Sequence, residues 1–302
     1  QGAQAVGMGR AFAEAFPSAR ARFESADAVL DGPLSRLSFD GPADALQLTE
    51  HTQPAVLTAS VAAWTVAREQ GFPEPDFVAG HSLGEFSALV AAGVLGFEDA
   101  VRIVRARGRF MQEAVPVGVG AAVLALDVIQ VAEACEEAAR ERPGEAVVPA
   151  NLNGPEQTVI AGHAGAVKLA GEKAKAKGAR RILPLNVSAP FHSPLMQPVS
   201  PRLAALLDGT AFGDARAPVV TNVDAAPEVS GSRLRALLVE QVTAPVRWTE
   251  VVARLVAEGV DTFVEFGPGS TLGALVKRQV AGARVVSVGD PAGLDAARAI
   301  VG

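Results

Sequence analysis

One serine in this chain sits in a spacing that can do chemistry. Gly80-His81-Ser82-Leu83-Gly84 has the form G-x-S-x-G, the way a nucleophile elbow is written in sequence. In an elbow a strand delivers the serine onto a sharp turn, and the following helix points its free N–H groups at the same place. Glycines are needed because the turn is strained and its backbone segments come close. The chemistry would be a covalent intermediate on Ser82. The competing reading is a serine that caps a helix, since serine is a favoured N-cap. The flanks favour the elbow. Asp76-Phe77-Val78-Ala79 reads as a short buried strand, and residues 85–94 read as a buried helix with few polar positions.

A serine hydroxyl is a weak nucleophile and needs an adjacent base. The chain has four histidines. His51 precedes Thr52-Gln53-Pro54 at an expected helix start, and His163 follows the strand-like Ile160-Ala161-Gly162; both read as surface or capping residues. His81 adjoins the serine in sequence, so its side chain leaves the turn in another direction. It can line the site but is poorly placed as base. His192 lies in Ser188-Ala189-Pro190-Phe191-His192-Ser193-Pro194, where flanking prolines fix the backbone at low entropic cost. By elimination it is the best base, with a structural histidine as the alternative. Arg102, Arg105, Arg107 and Arg109 fall in one helix-like stretch, 100–111, and cannot all share a face. Most should be solvated. One turned toward Ser82 would bind a carboxylate through two parallel hydrogen bonds.

These residues need a scaffold. At 302 residues, 49% hydrophobic and 20% charged, the chain can build a large core. The flanking parts alternate helices with short apolar strands at 77–79, 218–221, 262–266 and 284–288, which predicts a mainly parallel sheet covered by helices. Ligands then sit beyond the carboxyl ends of the strands, where Ser82, Asn222 and Gly267-Pro268-Gly269 fall. The middle has another rhythm: strand 121–126, helix 128–140, strands 146–151 and 157–161, helix 165–177, strand 181–187. That order is the split βαβ, ferredoxin-like arrangement. The expected division is a large α/β domain of residues 1–118 and 188–302 with a small inserted one of residues 119–187.

Composition also excludes. A net charge of −6 argues against a general nucleic-acid binder. No phosphate-binding G-x-x-x-x-G-K-[ST] loop occurs, and no apolar run reaches the length of a membrane span. The single cysteine, Cys135, permits no internal disulfide and fits a reducing compartment. The expectation is a soluble, cytoplasmic protein without a metal site.

Gly80-His81-Ser82-Leu83-Gly84-Glu85-Phe86-Ser87-Ala88-Leu89 resembles the nucleophile motif of malonyl-CoA:acyl carrier protein transacylases. So do Thr52-Gln53-Pro54-Ala55, Arg107-Gly108-Arg109-Phe110-Met111-Gln112, Asn151-Leu152-Asn153-Gly154-Pro155, Pro190-Phe191-His192-Ser193 and Thr221-Asn222-Val223-Asp224, each in family order. Pro245-Val246-Arg247-Trp248 and Glu265-Phe266-Gly267-Pro268-Gly269 continue the match to near the end. The resemblance implies an α/β-hydrolase-like core with an inserted ferredoxin-like subdomain. It implies malonyl transfer from malonyl-CoA to the phosphopantetheine thiol of acyl carrier protein in fatty-acid synthesis, with no cofactor of the enzyme's own. By position, Ser82 would be the nucleophile, His192 the base and Arg107 the grip on the malonyl carboxylate. Gln241 would orient His192 through its backbone carbonyl. The N–H groups of Leu83 and Gln1 would form the oxyanion hole, and His81 would line the site.

Three departures stand out. Relatives usually carry an apolar strand ending in Phe-Pro-Gly before the stretch that here begins at Gln1, so the expected sheet is one strand short. Gly120-Ala121-Ala122-Val123 looks shorter than the family's usual stretch, and Phe86 stands where tyrosine is common. The carrier protein is acidic, so docking needs a local basic face. Lys168, Lys173, Lys175, Lys177, Arg180 and Arg181 form the densest positive run, although a solvated helix face explains such runs equally. The rival functions are a free-standing acyltransferase of a polyketide synthase and a serine esterase or thioesterase. The latter place an acid between Ser and His in chain order, and no convincing one is present. Phe191 should wall the α-carbon of the acyl group. Related polyketide acyltransferases pair Phe-His with malonyl and Ser-His with methylmalonyl selection. Phe191→Ser is therefore expected to raise methylmalonyl transfer relative to malonyl in a competition assay; an unchanged ratio would remove that role.

Overall fold

Uncharged, largely apolar sequence between Thr52 and Ala63 forces one long helix into the centre of the protein. The computed structural model describes residues 2–114, 119–185 and 189–301. Helices α1 (Arg10–Ala15), α2 (Pro17–Leu30), α3 (Leu34–Asp40) and α4 (Ala43–Gln47) lead into α5 (Thr49–Glu69). On α5 the run Leu57–Ala63 is buried without a break, as expected of a helix with no polar face to offer water. Pro54 lies inside it and has no N–H for the carbonyl of Glu50 four residues back. Arg105 donates to that carbonyl instead, at 3.1 Å.

Strand β1 (Val78–Ala79) runs into α6 (Leu83–Ala91), which is followed by α7 (Phe97–Ala114). Helix α7 has a sharply two-sided sequence, and its buried face carries Ile103, Val104, Arg107, Gly108 and Met111. It crosses α5 at Gly108. A Cβ there would lie 2.6 Å from the Cα of Glu50 and 2.6 Å from the carbonyl oxygen of Thr49. Only a residue without a side chain lets the two helices meet this closely.

The middle of the chain forms β2 (Val119–Leu124), α8 (Val128–Glu141), β3 (Val147–Gly154), β4 (Gln157–Gly162), α9 (Ala164–Ala176) and β5 (Arg181–Leu185). The strands pair in the order β3-β4-β2-β5, antiparallel throughout. They enclose a core of their own, built from Val123, Val131, Cys135, Ile160 and Val167 among others. Burial pushes the Cys135 thiol up to about 12, which leaves it inert. This sheet leans on the rest of the protein through β3. Leu152 N–H donates to Val246 O and Val246 N–H to Ala150 O, each at 2.9 Å.

The remainder contains α10 (Val199–Asp208), β6 (Val219–Val220), β7 (Pro227–Glu228), α11 (Gly231–Glu240), α12 (Trp248–Ala257), β8 (Thr262–Phe266), α13 (Thr271–Gln279), β9 (Arg284–Val288) and α14 (Pro291–Val301). Strand β1 pairs parallel with β6, and β8 parallel with β9. The parallel strands expected from sequence are present, but among the described residues they form two separate ladders. The antiparallel β7 also extends the β1–β6 ladder, a two-residue strand too short to show a pattern. The fold is mixed α/β, with small sheets among many helices. Gly108→Ala should lower stability by about 1–3 kcal/mol through overpacking, read as a fall in the urea midpoint with an unchanged slope; no change would show that the helices have slack.

Candidate active site

The turn after β1 carries Ser82 in a conformation most residues avoid, with φ 52° and ψ −106°. A Cβ on Gly80 would come within 2.0 Å of the backbone of Gly84, so glycine is obligatory at that position. Asn222, just beyond β6, clamps both arms of the turn. Its Oδ1 accepts from the N–H of Ser82 at 2.7 Å, and its Nδ2 donates to the carbonyl of Gly80 at 2.7 Å. With the Ser82 N–H so occupied, the next N–H along the chain is that of Leu83, the first residue of α6. Helix geometry leaves it without a partner in its own ladder.

Ser82 Oγ and His192 Nε2 are 2.8 Å apart, and His192 Nδ1 lies 2.9 Å from the carbonyl oxygen of Gln241. A carbonyl only accepts, so Nδ1 carries the proton and Nε2 presents a lone pair to the serine hydroxyl. His192 is buried, and its backbone is also left-handed, at φ 57°. Burial, then the nearby charge of Arg107, lowers its pKa to about 3. The ring is therefore neutral and able to take a proton across the neutral pH range.

Arg107 is a large side chain buried almost completely, 1% exposed. Its Nη1 donates to Gln53 Oε1 at 2.8 Å, and its Nη2 to Gln241 Oε1 at 3.0 Å and to Ser82 Oγ at 3.3 Å. The guanidinium carbon sits 5.5 Å from the Phe86 ring centre, a cation–π contact that a phenyl face supplies as well as a phenol. Burial lowers its pKa to about 10, with Glu85 opposing, so it stays charged at neutral pH. Every hydrogen-bond acceptor it uses is neutral. The other arginines of α7 are spent elsewhere: Arg102 pairs with Asp99, Arg105 with Glu50 and Arg109 with Glu113.

The His81 ring points toward the small sheet, where Nε2 meets Asn153 Oδ1 at 2.8 Å and the ring packs on Trp248. Burial lowers its pKa to about 4. Half-buried Phe191 packs against the main core beside His192. His51 contacts the Ala45 carbonyl, and His163 accepts from the Ala146 N–H, both away from Ser82. Gln1 lies outside the described residues. Lys173 and Lys177 are engaged in ion pairs with Glu133, Glu137 and Glu141 on α8, while Lys168, Lys175, Arg180 and Arg181 are exposed.

Three site residues carry roles that the sequence did not assign: Gln53, Asn222 and Glu85. Each had a signal. Gln53 is an amide in an uncharged, largely buried helical run, Asn222 follows a strand end, and Glu85 is an acid at the buried start of α6.

The sequence pattern of the acyl transferase domain matches residues 1–294. The chain belongs to the acyl transferase family. Within that family, the malonyl CoA-acyl carrier protein transacylase of Bacillus subtilis (strain 168) is 47% identical over 293 residues, 96% of this chain and 92% of that protein. The enzyme of the same name from Escherichia coli (strain K12) is 48% identical over 299 residues, 98% and 96% of the two chains. A malonyl transacylase solved in complex with its type II polyketide synthase acyl carrier protein superposes with a TM-score of 0.95 at 46% identity, over 98% of this chain and 96% of that one. An acyl carrier protein S-malonyltransferase from Vibrio cholerae gives 0.95 at 45%, with the same coverage. The protein is an acyltransferase, and the resemblance to malonyl transacylases holds over nearly its whole length.

Burial gives this acyltransferase a pH signature. His81 and His192 both have folded pKa values below the ordinary 6.5. The stability they contribute is fully present above pH 6.5 and is lost as the pH falls toward about 4 and about 3. Glu85 has the opposite sign: burial raises it from 4.5 to about 7, so its contribution is full below 4.5 and fades as the pH rises through 7. His192→Asn should show a shallower loss of urea midpoint than the parent between pH 6.5 and 4; identical slopes would contradict neutral burial of His192.

Proposed function

We propose that the protein transfers a malonyl group from malonyl-CoA to the phosphopantetheine thiol of an acyl carrier protein, through a malonyl ester on Ser82. The observation that carries this reading is the buried guanidinium of Arg107, 3.3 Å from Ser82 Oγ and held only by neutral acceptors. A charge in that state is stabilised by a substrate carboxylate, and a two-pronged guanidinium fits one.

In the first half-reaction Ser82 Oγ attacks the thioester carbon while His192 Nε2 takes the hydroxyl proton. The oxyanion is met by the Leu83 N–H, with the N–H of Gln1 as the proposed second donor. The C–S bond breaks, and His192 returns the proton to the departing coenzyme A thiolate. In the second half the pantetheine thiol gives its proton to His192 as its sulfur attacks the ester. The C–Oγ bond breaks, and the proton ends on Ser82. Gln241 O keeps the Nδ1 proton in place throughout, and Arg107 holds the distal carboxylate. The chemistry calls for no cofactor beyond the pantetheine of the partner.

In this reading residues 1–118 and 188–302 form an α/β-hydrolase-like catalytic domain, and residues 119–187 a ferredoxin-like subdomain, which the strand order β3-β4-β2-β5 supports. Carrier docking falls to Lys168, Lys175, Arg180 and Arg181, since Lys173 and Lys177 are engaged by α8. Among the described residues no helix is long and apolar enough to cross a membrane. A second reading, service to a polyketide synthase, is favoured by the relative solved with a polyketide carrier protein. An esterase fits less well, because a carbonyl rather than an acid orients His192.

Incubation with malonyl-CoA should add one malonyl group to Ser82 by mass spectrometry, and added carrier protein should remove it. Arg107→Ala should lower malonyl transfer about a hundredfold or more, as for loss of one partner of a buried charge pair, while acetyl transfer rises. A protein that is never malonylated, or an Arg107→Ala enzyme with unchanged malonyl preference, would sink the proposal.

A further inference from the structure

Glu85 takes no part in those steps, yet its carboxyl is fully buried among the groups that do. It stands three residues after Ser82, about one turn along α6. Its Oε2 accepts from the backbone N–H of Asn222 at 2.8 Å and from Gln241 Nε2 at 3.2 Å. Its Oε1 has no hydrogen-bond partner among the described residues.

Gln241 explains why an acid there matters. Its Nε2 faces three acceptors: Glu85 Oε2, the carbonyl of Ser82 at 3.2 Å and Asn222 Oδ1 at 3.4 Å. The latter two already accept from the N–H groups of Glu85 and Ser82. An amide has one donating and one accepting end. With Nε2 committed to this side, Oε1 must face Arg107 Nη2, as it does at 3.0 Å. Turned over, the amide would set its NH2 against a cation and its oxygen against a carboxylate.

We propose that Glu85 is a positioning residue for acyl-group selection, fixing the orientation of the Gln241 side-chain amide so that its oxygen holds Arg107 ready for the acyl carboxylate. This rests on Arg107 being the carboxylate grip. Glu85 touches no reacting atom. Burial pushes its pKa up to about 7, against the pull of the Asn222 N–H, Gln241 and Arg107 and with the push of Asp224. A carboxyl so situated is poor material for a purely structural core.

The test compares kcat/KM for malonyl-CoA and acetyl-CoA. Glu85→Met keeps the volume and deletes both acceptors; Glu85→Gln keeps one carbonyl able to accept from Asn222 and Gln241. Glu85→Met should lose about tenfold of the malonyl preference, mostly as a higher KM for malonyl-CoA, the scale of one unsatisfied buried group. Glu85→Gln should restore the preference. If Glu85→Met lowers both donors equally, or Glu85→Gln is equally unselective, the role is structural and the proposal fails. Should Glu85→Met not fold, Gln241→Leu retains the backbone carbonyl for His192 and must show the same loss of preference; an unchanged preference overturns the proposal. Arg107→Ala measured alongside separates the two readings. If it leaves the preference intact, the assignment of Arg107 fails; if it abolishes the preference while the Glu85 variants keep it, only Glu85 is misassigned.

Discussion

Arg107 carries a positive charge into the interior, and much of the surrounding structure exists to keep it there. An isolated buried charge is costly unless it is hydrogen-bonded and partnered. Here the partners are the amide oxygens of Gln53 and Gln241, the hydroxyl of Ser82 and the face of Phe86. They come from α5, the end of α11 and the turn and helix around Ser82, so one guanidinium ties those elements together. Gly108 beside it lets α7 lie against the first turn of α5, which brings Gln53 within reach. None of the acceptors neutralises the charge, which under the proposed function leaves it for the acyl carboxylate to meet.

The second constraint is the strained turn at Ser82. Its left-handed backbone is tolerated because Asn222 bonds both arms and Glu85 bonds Asn222. Strain of this kind persists only where the surroundings over-determine it. The return is a hydroxyl held in line with His192 at the start of a helix. The left-handed His192 backbone tells the same story, with its ring fixed between Ser82 and the Gln241 carbonyl.

Parts of this were legible in the chain. The small middle sheet could be read element by element, because its strands and helices each span several residues and their periods differ. Strands β1 and β6 are only two residues long and were visible mainly through the turns they feed. Arg102, Arg105, Arg107 and Arg109 look alike in sequence; only packing against α5 decides which is swallowed. Lys173 and Lys177 read as free charge until α8 brings three glutamates beside them. Gln53, Glu85 and Asn222 left only weak local signals, because a buried polar residue shows its role through its partners, and those lie far away in sequence.

The sequence by itself determined the serine and its turn, since G-x-S-x-G between an apolar strand and an apolar helix is a local pattern enforced by backbone sterics. It also determined the family, through motifs spread along almost the whole chain, and narrowed the base to His192 among four histidines. Tertiary structure alone decided the tautomer of that histidine, the neutral company kept by Arg107 and the Glu85–Gln241–Asn222 network behind the serine. The reason is physical: hydrogen bonds and desolvation depend on distances between atoms more than a hundred residues apart, and no local spacing encodes those.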